Sequence, residues 1–133
     1  MRLKIIVFLV IGLFVLSACA SSQAKVDLGK CLTENGAKMY GAFWCGHCKS
    51  QKDAFGKDAF AEVDYIECSL PNGDGQTALC EQAGINSYPT WEFPDGSRQS
   101  GQVDLKDLAS RSGCEYSDWF FFIFYIDVFK WKI

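Results

Sequence analysis

Hydrophobic and polar positions divide this chain into an apolar block near its start, a long patterned middle and an aromatic block near its end. In the middle, Leu28 and Leu32 at i, i+4 spacing predict a helix over Val26–Ala37, with Asn35-Gly36 as its stop. Lys38 to Trp44 is an almost unbroken apolar run that reads as a strand buried on both faces. Gly46 to Phe60 follows as a helix with Lys49, Lys52 and Asp53 on its wet side, and Gly56 is where it would kink or end. Glu62 to Cys68 alternates Val63, Tyr65 and Glu67 against Asp64, Ile66 and Cys68, as a strand does. Pro71 to Gly75 is turn chemistry, and Gln76 to Ala83 is a short helix. Thr90–Phe93, Asp95-Gly96 and Ser97–Gly101 make a hairpin, and Val103–Ser112 closes the pattern as an amphipathic helix built on Val103, Leu105, Leu108 and Ala109.

The apolar block at the start changes the picture of where the chain works. Arg2 and Lys4 precede the run Ile5–Leu16, and Leu16-Ser17-Ala18-Cys19 ends it with small residues before a cysteine. This resembles a bacterial lipoprotein signal, which implies cleavage of residues 1–18, lipidation of Cys19 and a flexible tether over residues 19–25. Several acyl chains anchor stably where one would be marginal. An uncleaved membrane helix is the other reading, although the run is short for a span. Either way the rest of the chain stands outside the cytoplasm, in the cell envelope. Losing residues 1–18 leaves 115 of the 133 residues, one domain's length, and takes the net charge from −3 to −5. An acidic chain without a Lys/Arg cluster offers nothing to a phosphate backbone, so nucleic acid is not an expected partner. Seven cysteines in so short an exported chain imply disulfides.

Two of those cysteines lie in Trp44-Cys45-Gly46-His47-Cys48, at the end of the predicted strand and the start of a helix. Thiols two residues apart can close a disulfide within one turn, and a helix N-terminus stabilises the thiolate of the first. A zinc half-site would need a second close pair, and Cys68 and Cys80 stand too far apart for one. A c-type haem would need His after the second Cys, where Lys49 stands. A structural disulfide is the remaining alternative, but strain and exposure at a helix start favour a labile bond.

The order helix, strand, helix, strand, helix, hairpin, helix resembles the thioredoxin fold, with the redox pair after the first core strand. This implies an α/β fold over residues 26–113, with a central mixed four-stranded sheet flanked by helices on both faces. Tyr88-Pro89-Thr90 precedes the hairpin where thioredoxin-like proteins carry a cis-proline loop facing the redox pair. Such a loop exposes backbone groups to an incoming peptide, so Trp44, Tyr88, Pro89 and Thr90 are the expected substrate-binding residues. An ordinary trans proline before an edge strand is the plainer alternative. Lys38-Met39-Tyr40-Gly41-Ala42-Phe43-Trp44-Cys45, Glu67-Cys68-Ser69 and Gly84-Ile85-Asn86-Ser87-Tyr88-Pro89-Thr90-Trp91 look like one branch in particular. That branch is the thioredoxin-like domain fused to vitamin K epoxide reductase homologues in bacteria and plants. In those fusions the domain exchanges disulfides with a quinone-linked membrane partner, which here would be a separate polypeptide.

Two departures matter. Cys-Gly-His-Cys is the pairing familiar from protein disulfide isomerase, and a His between the cysteines can stabilise the Cys45 thiolate and make the disulfide more oxidising. Thioredoxin and the isomerase bury an acid at the place of Met39, so the proton acceptor of the second cysteine is not identifiable. The resemblance implies Cys45 as nucleophile, Cys48 as resolving thiol and His47 as thiolate stabiliser. Trp44 either shields the sulfur or simply packs.

The resemblance also supports a second cysteine pair at Cys68 and Cys80. Such a crosslink would close about thirteen residues and contribute roughly 3 kcal/mol, as a staple or as an electron relay. Cys31 and Cys114 are expected on opposite faces of the sheet, unable to pair within one chain. Asp58, Glu62, Asp64 and Glu67 have no evident partner and read as solvated. With His47 the sole histidine, no histidine metal site or Ser/His/Asp triad can be assembled, and no metal or cofactor is expected. The aromatic block Trp119–Ile126, within the tail 114–133, is too short to span a bilayer. It reads as an interfacial anchor, an element packed on the domain, or non-native sequence from a shifted frame. The whole points to a membrane-tethered thiol–disulfide oxidoreductase acting on protein thiols. A reductase, a non-catalytic peptide-binding lipoprotein and a zinc module are the alternatives.

Overall fold

The computed structural model describes residues 22–117. The signal-like segment, Cys19 and the aromatic run from Trp119 lie outside the described residues. A first helix, α1, covers 22–34 and ends at Gly36, whose positive φ of 87° is the left-handed stop expected of Asn35-Gly36. Strand β1, Lys38–Gly41, is followed by α2, Gly46–Phe55, then by the single turn α3, Lys57–Phe60, and by β2, Tyr65–Glu67. After α4, Ala78–Gln82, the hairpin strands β3, Thr90–Glu92, and β4, Arg98–Ser100, lead to α5, Leu105–Ser112. The long helix expected over Gly46–Phe60 is therefore two. Gly56, at φ 85°, ends α2 and starts α3.

The sheet runs β2-β1-β3-β4, with β1 parallel to β2 and antiparallel to β3, and β3 antiparallel to β4. With helices on both faces, this is the thioredoxin-like α/β fold. Strand alternation sorts the core. On one face Met39, paired in register with Tyr65 and Trp91, packs with Leu28 and Leu32 of α1, Phe55 of α2 and Leu108 of α5. On the other, Tyr40 meets Cys68, Cys80 of α4 and Ile85. Each large side chain so buried stabilises the fold by roughly 1.5–3 kcal/mol relative to exposure.

Two expectations fail here for identifiable reasons. The apolar run after Gly41 does not continue the strand: Phe43 and Trp44 turn outward, 58% and 56% exposed. Cys31 and Cys114, expected apart, form a disulfide. α1 shares its face of the sheet with α2 and α5, and Gly29 lets it close onto α3. A Cβ at that position would sit 2.4 Å from the carbonyl oxygen of Ala59. Lys25 Nζ donates to Ala54 O at 2.7 Å and Asn35 Nδ2 to Ser112 O at 2.7 Å, so the end of α1 meets the end of α5.

Candidate active site

Cys45 is the N-cap of α2. Its extended backbone (φ −77°, ψ 117°) aims Sγ at the first turn, where the Cys48 amide donates to it at 3.2 Å. No acid occupies that turn. Both cysteines are free thiols. Cys45 is the more accessible, at 8% exposure against 1% for Cys48, which fits an attacking and a resolving sulfur.

Facing the pair is the loop before β3. The Tyr88–Pro89 bond is cis, and the Cys45 thiol points at the Tyr88 carbonyl oxygen, 3.5 Å away. The Tyr88 ring is fixed from behind by Gln76, whose Nε2 donates to Tyr88 Oη at 2.5 Å and to Ile85 O at 2.8 Å. Its edge meets Trp44, with centroids 5.9 Å apart. Trp44 Nε1 in turn donates to Ser69 Oγ at 2.9 Å. The segment entering the helix is thus pinned to the end of β2. Glu67 Oε1 accepts from the Phe43 amide at 3.1 Å and from the Ser69 amide at 2.9 Å.

Beneath the pair the surroundings are drier. Burial, then the hydrogen bond with Cys45, pushes the Cys48 thiol up to about 12. Gly41 leaves the room for this: a Cβ there would lie 2.8 Å from Tyr65 Cε2 and 3.1 Å from Cys48 Sγ. Tyr65 Oη donates to Glu67 Oε2 at 2.8 Å, and Lys52 Nζ lies 3.7 Å from the centre of the Tyr65 ring. Burial and the Glu67 bond hold the Tyr65 hydroxyl in its neutral form. The two cysteines form one hydrogen-bonded pair and Tyr65 with Glu67 another, set on either side of the Gly41 backbone gap.

Cys45, Cys48, Trp44, Tyr88 and Pro89 come together at this site. His47 stands beside them, exposed, with no hydrogen bond joining it to Cys45. Thr90 is turned inward, 4% exposed. Its Oγ1 donates to Ser87 O at 2.8 Å and its backbone pairs within the sheet opposite Tyr40 and Ser100, so its side chain braces the loop before β3. Cys68 and Cys80 form a disulfide, fully buried in the cluster on the other face of the sheet. Among the described residues no group of His, Cys, Asp or Glu is arranged to hold a metal, and no helix is long and apolar enough to cross a membrane.

Glu67 corrects the expectation that it is solvated, since it organises both the entry loop and Tyr65. The sequence carried a signal for it. Glu67 shares strand parity with Val63 and Tyr65, and an acid on the inward parity needs partners. Gln51 was also missed: fully buried on α2, it exchanges two hydrogen bonds with the backbone N–H and C=O of Val103. Its signal is its place between Cys48 and Phe55 on the buried stripe of the helix.

No family model matches the chain. It is 44% identical over 98 residues to the thiol-disulfide oxidoreductase LTO1 of Arabidopsis thaliana, an alignment covering 71% of this chain and 26% of that protein. It is 35% identical over 81 residues to protein disulfide-isomerase A2 of Pongo abelii, covering 56% of this chain and 15% of the relative. It is 33% identical over 75 residues to protein disulfide-isomerase erp38 of Neurospora crassa, covering 52% and 20%. The chain spans about a quarter or less of each of these relatives. Together they support a thioredoxin-like family for it.

Proposed function

We propose that this chain is a protein thiol–disulfide oxidoreductase that works through Cys45 and Cys48, tethered to the outer side of a bacterial membrane by lipid on Cys19. The observation that carries the chemistry is the Cys45 sulfur at the N-terminus of α2, facing the Tyr88 carbonyl beside a cis proline. The names of the relatives, thiol-disulfide oxidoreductase and protein disulfide-isomerase, support the same reaction class. A peptide lying along the loop would pair with backbone groups near residue 88, bringing its cysteine to Cys45. The exposed side chains of Phe43, Trp44 and Leu70 would offer apolar contact beside it.

In the oxidising direction a substrate thiolate attacks Cys45 Sγ of the closed pair. The Cys45–Cys48 bond breaks, Cys48 leaves with the electron pair and takes up a proton, and a mixed disulfide remains on Cys45. The substrate's second thiolate then attacks its own sulfur in that bond and expels Cys45. The substrate has lost two electrons and closed a disulfide, and the Cys45/Cys48 pair has gained them. Reoxidation falls to a quinone-linked membrane partner of the vitamin K epoxide reductase type, a reading supported by the likeness of the motifs around Cys45, Cys68 and Pro89.

Trapping tests this reading. In Cys48→Ser the resolving thiol is gone, so mixed disulfides with cell-envelope proteins accumulate through Cys45 and disappear in Cys45→Ala, Cys48→Ser. A non-catalytic binding protein would yield none.

A further inference from the structure

A buried thiol that has to act as a nucleophile needs a group to take its proton, and few groups face Cys48. From α2 come Cys45 and Lys52, and from β2 comes Tyr65, with Glu67 hydrogen-bonded to its hydroxyl. β1 presents Met39 and Gly41, which do not titrate, and β3 presents Trp91. Of these, only Glu67 is a carboxylate. Its anchoring fixes its geometry: Oε1 accepts from two amides, which leaves Oε2 to face the Tyr65 hydroxyl at 2.8 Å. Tyr65 Oη and Cys48 Sγ both lie 3.1 Å from the point where a Cβ on Gly41 would be. The hydroxyl and the thiol thus flank one small gap that only glycine leaves open, with Lys52 over the ring.

We propose that Tyr65 and Glu67 form the proton path of Cys48, Tyr65 beside the thiol and Glu67 behind it as the positioned acceptor. The proposal rests on the exchange reading above and names the groups that make its resolving step work. When Cys48 resolves a mixed disulfide, its S–H proton passes to Tyr65 Oη as the Tyr65 proton passes to Glu67 Oε2. The Cys48 electron pair forms the Cys45–Cys48 bond, the bond from Cys45 to substrate breaks, and the substrate sulfur leaves as a thiolate. The Cys45/Cys48 pair is oxidised by two electrons, the substrate disulfide is reduced by the same two, and Glu67 later returns its proton to solvent. In the opposite direction the same path delivers a proton to the Cys48 thiolate as it is displaced. Burial raises the Cys48 thiol, so a neighbouring group that takes its proton eases the resolving step.

The test uses the full chain carrying Cys19→Ser, with the Cys45/Cys48 pair reduced, mixed with Ellman's reagent in a stopped-flow instrument. The first thionitrobenzoate released reports attack by Cys45, and the second reports resolution by Cys48. Glu67→Gln keeps an oxygen for the Phe43 and Ser69 amides, and Tyr65→Phe leaves those bonds untouched. In both variants we expect the second phase to slow by about ten-fold or more near neutral pH while the first phase is unchanged. The deficit should close as pH rises and hydroxide takes over the proton. A second phase within two-fold of wild type, or one slowed by the same factor at every pH, overturns the proposal. Should Glu67→Gln fail to fold, Tyr65→Phe decides alone. Loss of protein mixed disulfides in the trapping test would sink the exchange reading while leaving this two-phase reaction readable, so the two failures are distinct.

Discussion

Gln51 offers the sharpest test of what holds the site-bearing helix in place. Its side chain is fully buried one turn after Cys48, and its amide is matched to both backbone groups of one residue: Nε2 donates to Val103 O at 3.0 Å and Oε1 accepts from Val103 N at 2.7 Å. Val103 is itself 3% exposed, so neither of its backbone groups has water as an alternative partner. Gln51→Leu keeps the volume and removes both bonds. Each orphaned buried group costs about 1–3 kcal/mol, or roughly 2–6 kcal/mol for the pair. Better burial of an apolar side chain offsets roughly 1–2 kcal/mol of that. Taken at their midpoints these terms leave an expected net loss of about 2–3 kcal/mol, a large fraction of a small domain's stability. Equilibrium urea unfolding of the oxidised chain, followed by tryptophan fluorescence, measures it directly. A Gln51→Leu variant within about 0.5 kcal/mol of wild type, or above it, would refute the reasoning that these two bonds fasten α2 to the segment leading into α5.

Two further outcomes follow from the cysteines. The Cys31–Cys114 bond joins residues 83 apart in sequence, so replacing both by Ala should cost about 4–5 kcal/mol in the chain-entropy model, read by urea unfolding under non-reducing conditions. For the reduced pair, the Cys48 thiol is pushed from its ordinary 9.0 to about 12, so above pH 9 the unfolded chain holds fewer protons than the folded one. Stability from this group is therefore complete below pH 9 and falls as pH rises toward 12, by up to about 1.4 kcal/mol per unit. Unfolding of reduced wild type against reduced Cys48→Ser from about pH 8 to 10.5 isolates that slope, which vanishes in the variant.

The architecture was readable where one residue type decides a local structure. Gly36 and Gly56 ended helices because the left-handed backbone they adopt is costly for other residues. The alternation through Tyr65 to Glu67 and the Asp95-Gly96 turn gave the strands their places. Of the candidate site, the Cys-x-x-Cys pair and the Tyr-Pro step were visible because their chemistry depends on spacing along the chain. What could not be read depended on contacts across it. Phe43 and Trp44 have the hydropathy of a strand, and it is the Glu67 carboxylate, two dozen residues away, that draws the Phe43 amide out of one. Cys31 and Cys114 pair where Asn35 joins the end of α1 to Ser112 at the end of α5, a packing fact with no periodic trace. Glu67 and Gln51 were polar residues on inward-facing positions, a signal that is legible once buried polar groups are treated as needing named partners.

This arrangement divides the labour among three cysteine pairs. Cys68–Cys80 is fully buried across the sheet from the site, and Cys31–Cys114 ties the ends of two helices. Cys45 and Cys48 alone among the described residues are free thiols.

Equilibration of the full chain in glutathione buffers, with each disulfide assigned by mass spectrometry, is the most direct test of that division. The account predicts that Cys45–Cys48 opens and closes as one reversible two-electron couple, near the roughly −180 mV of protein disulfide isomerase, while the other two bonds stay closed. A pair that does not exchange, or Cys31–Cys114 and Cys68–Cys80 opening at the same potential, would contradict it.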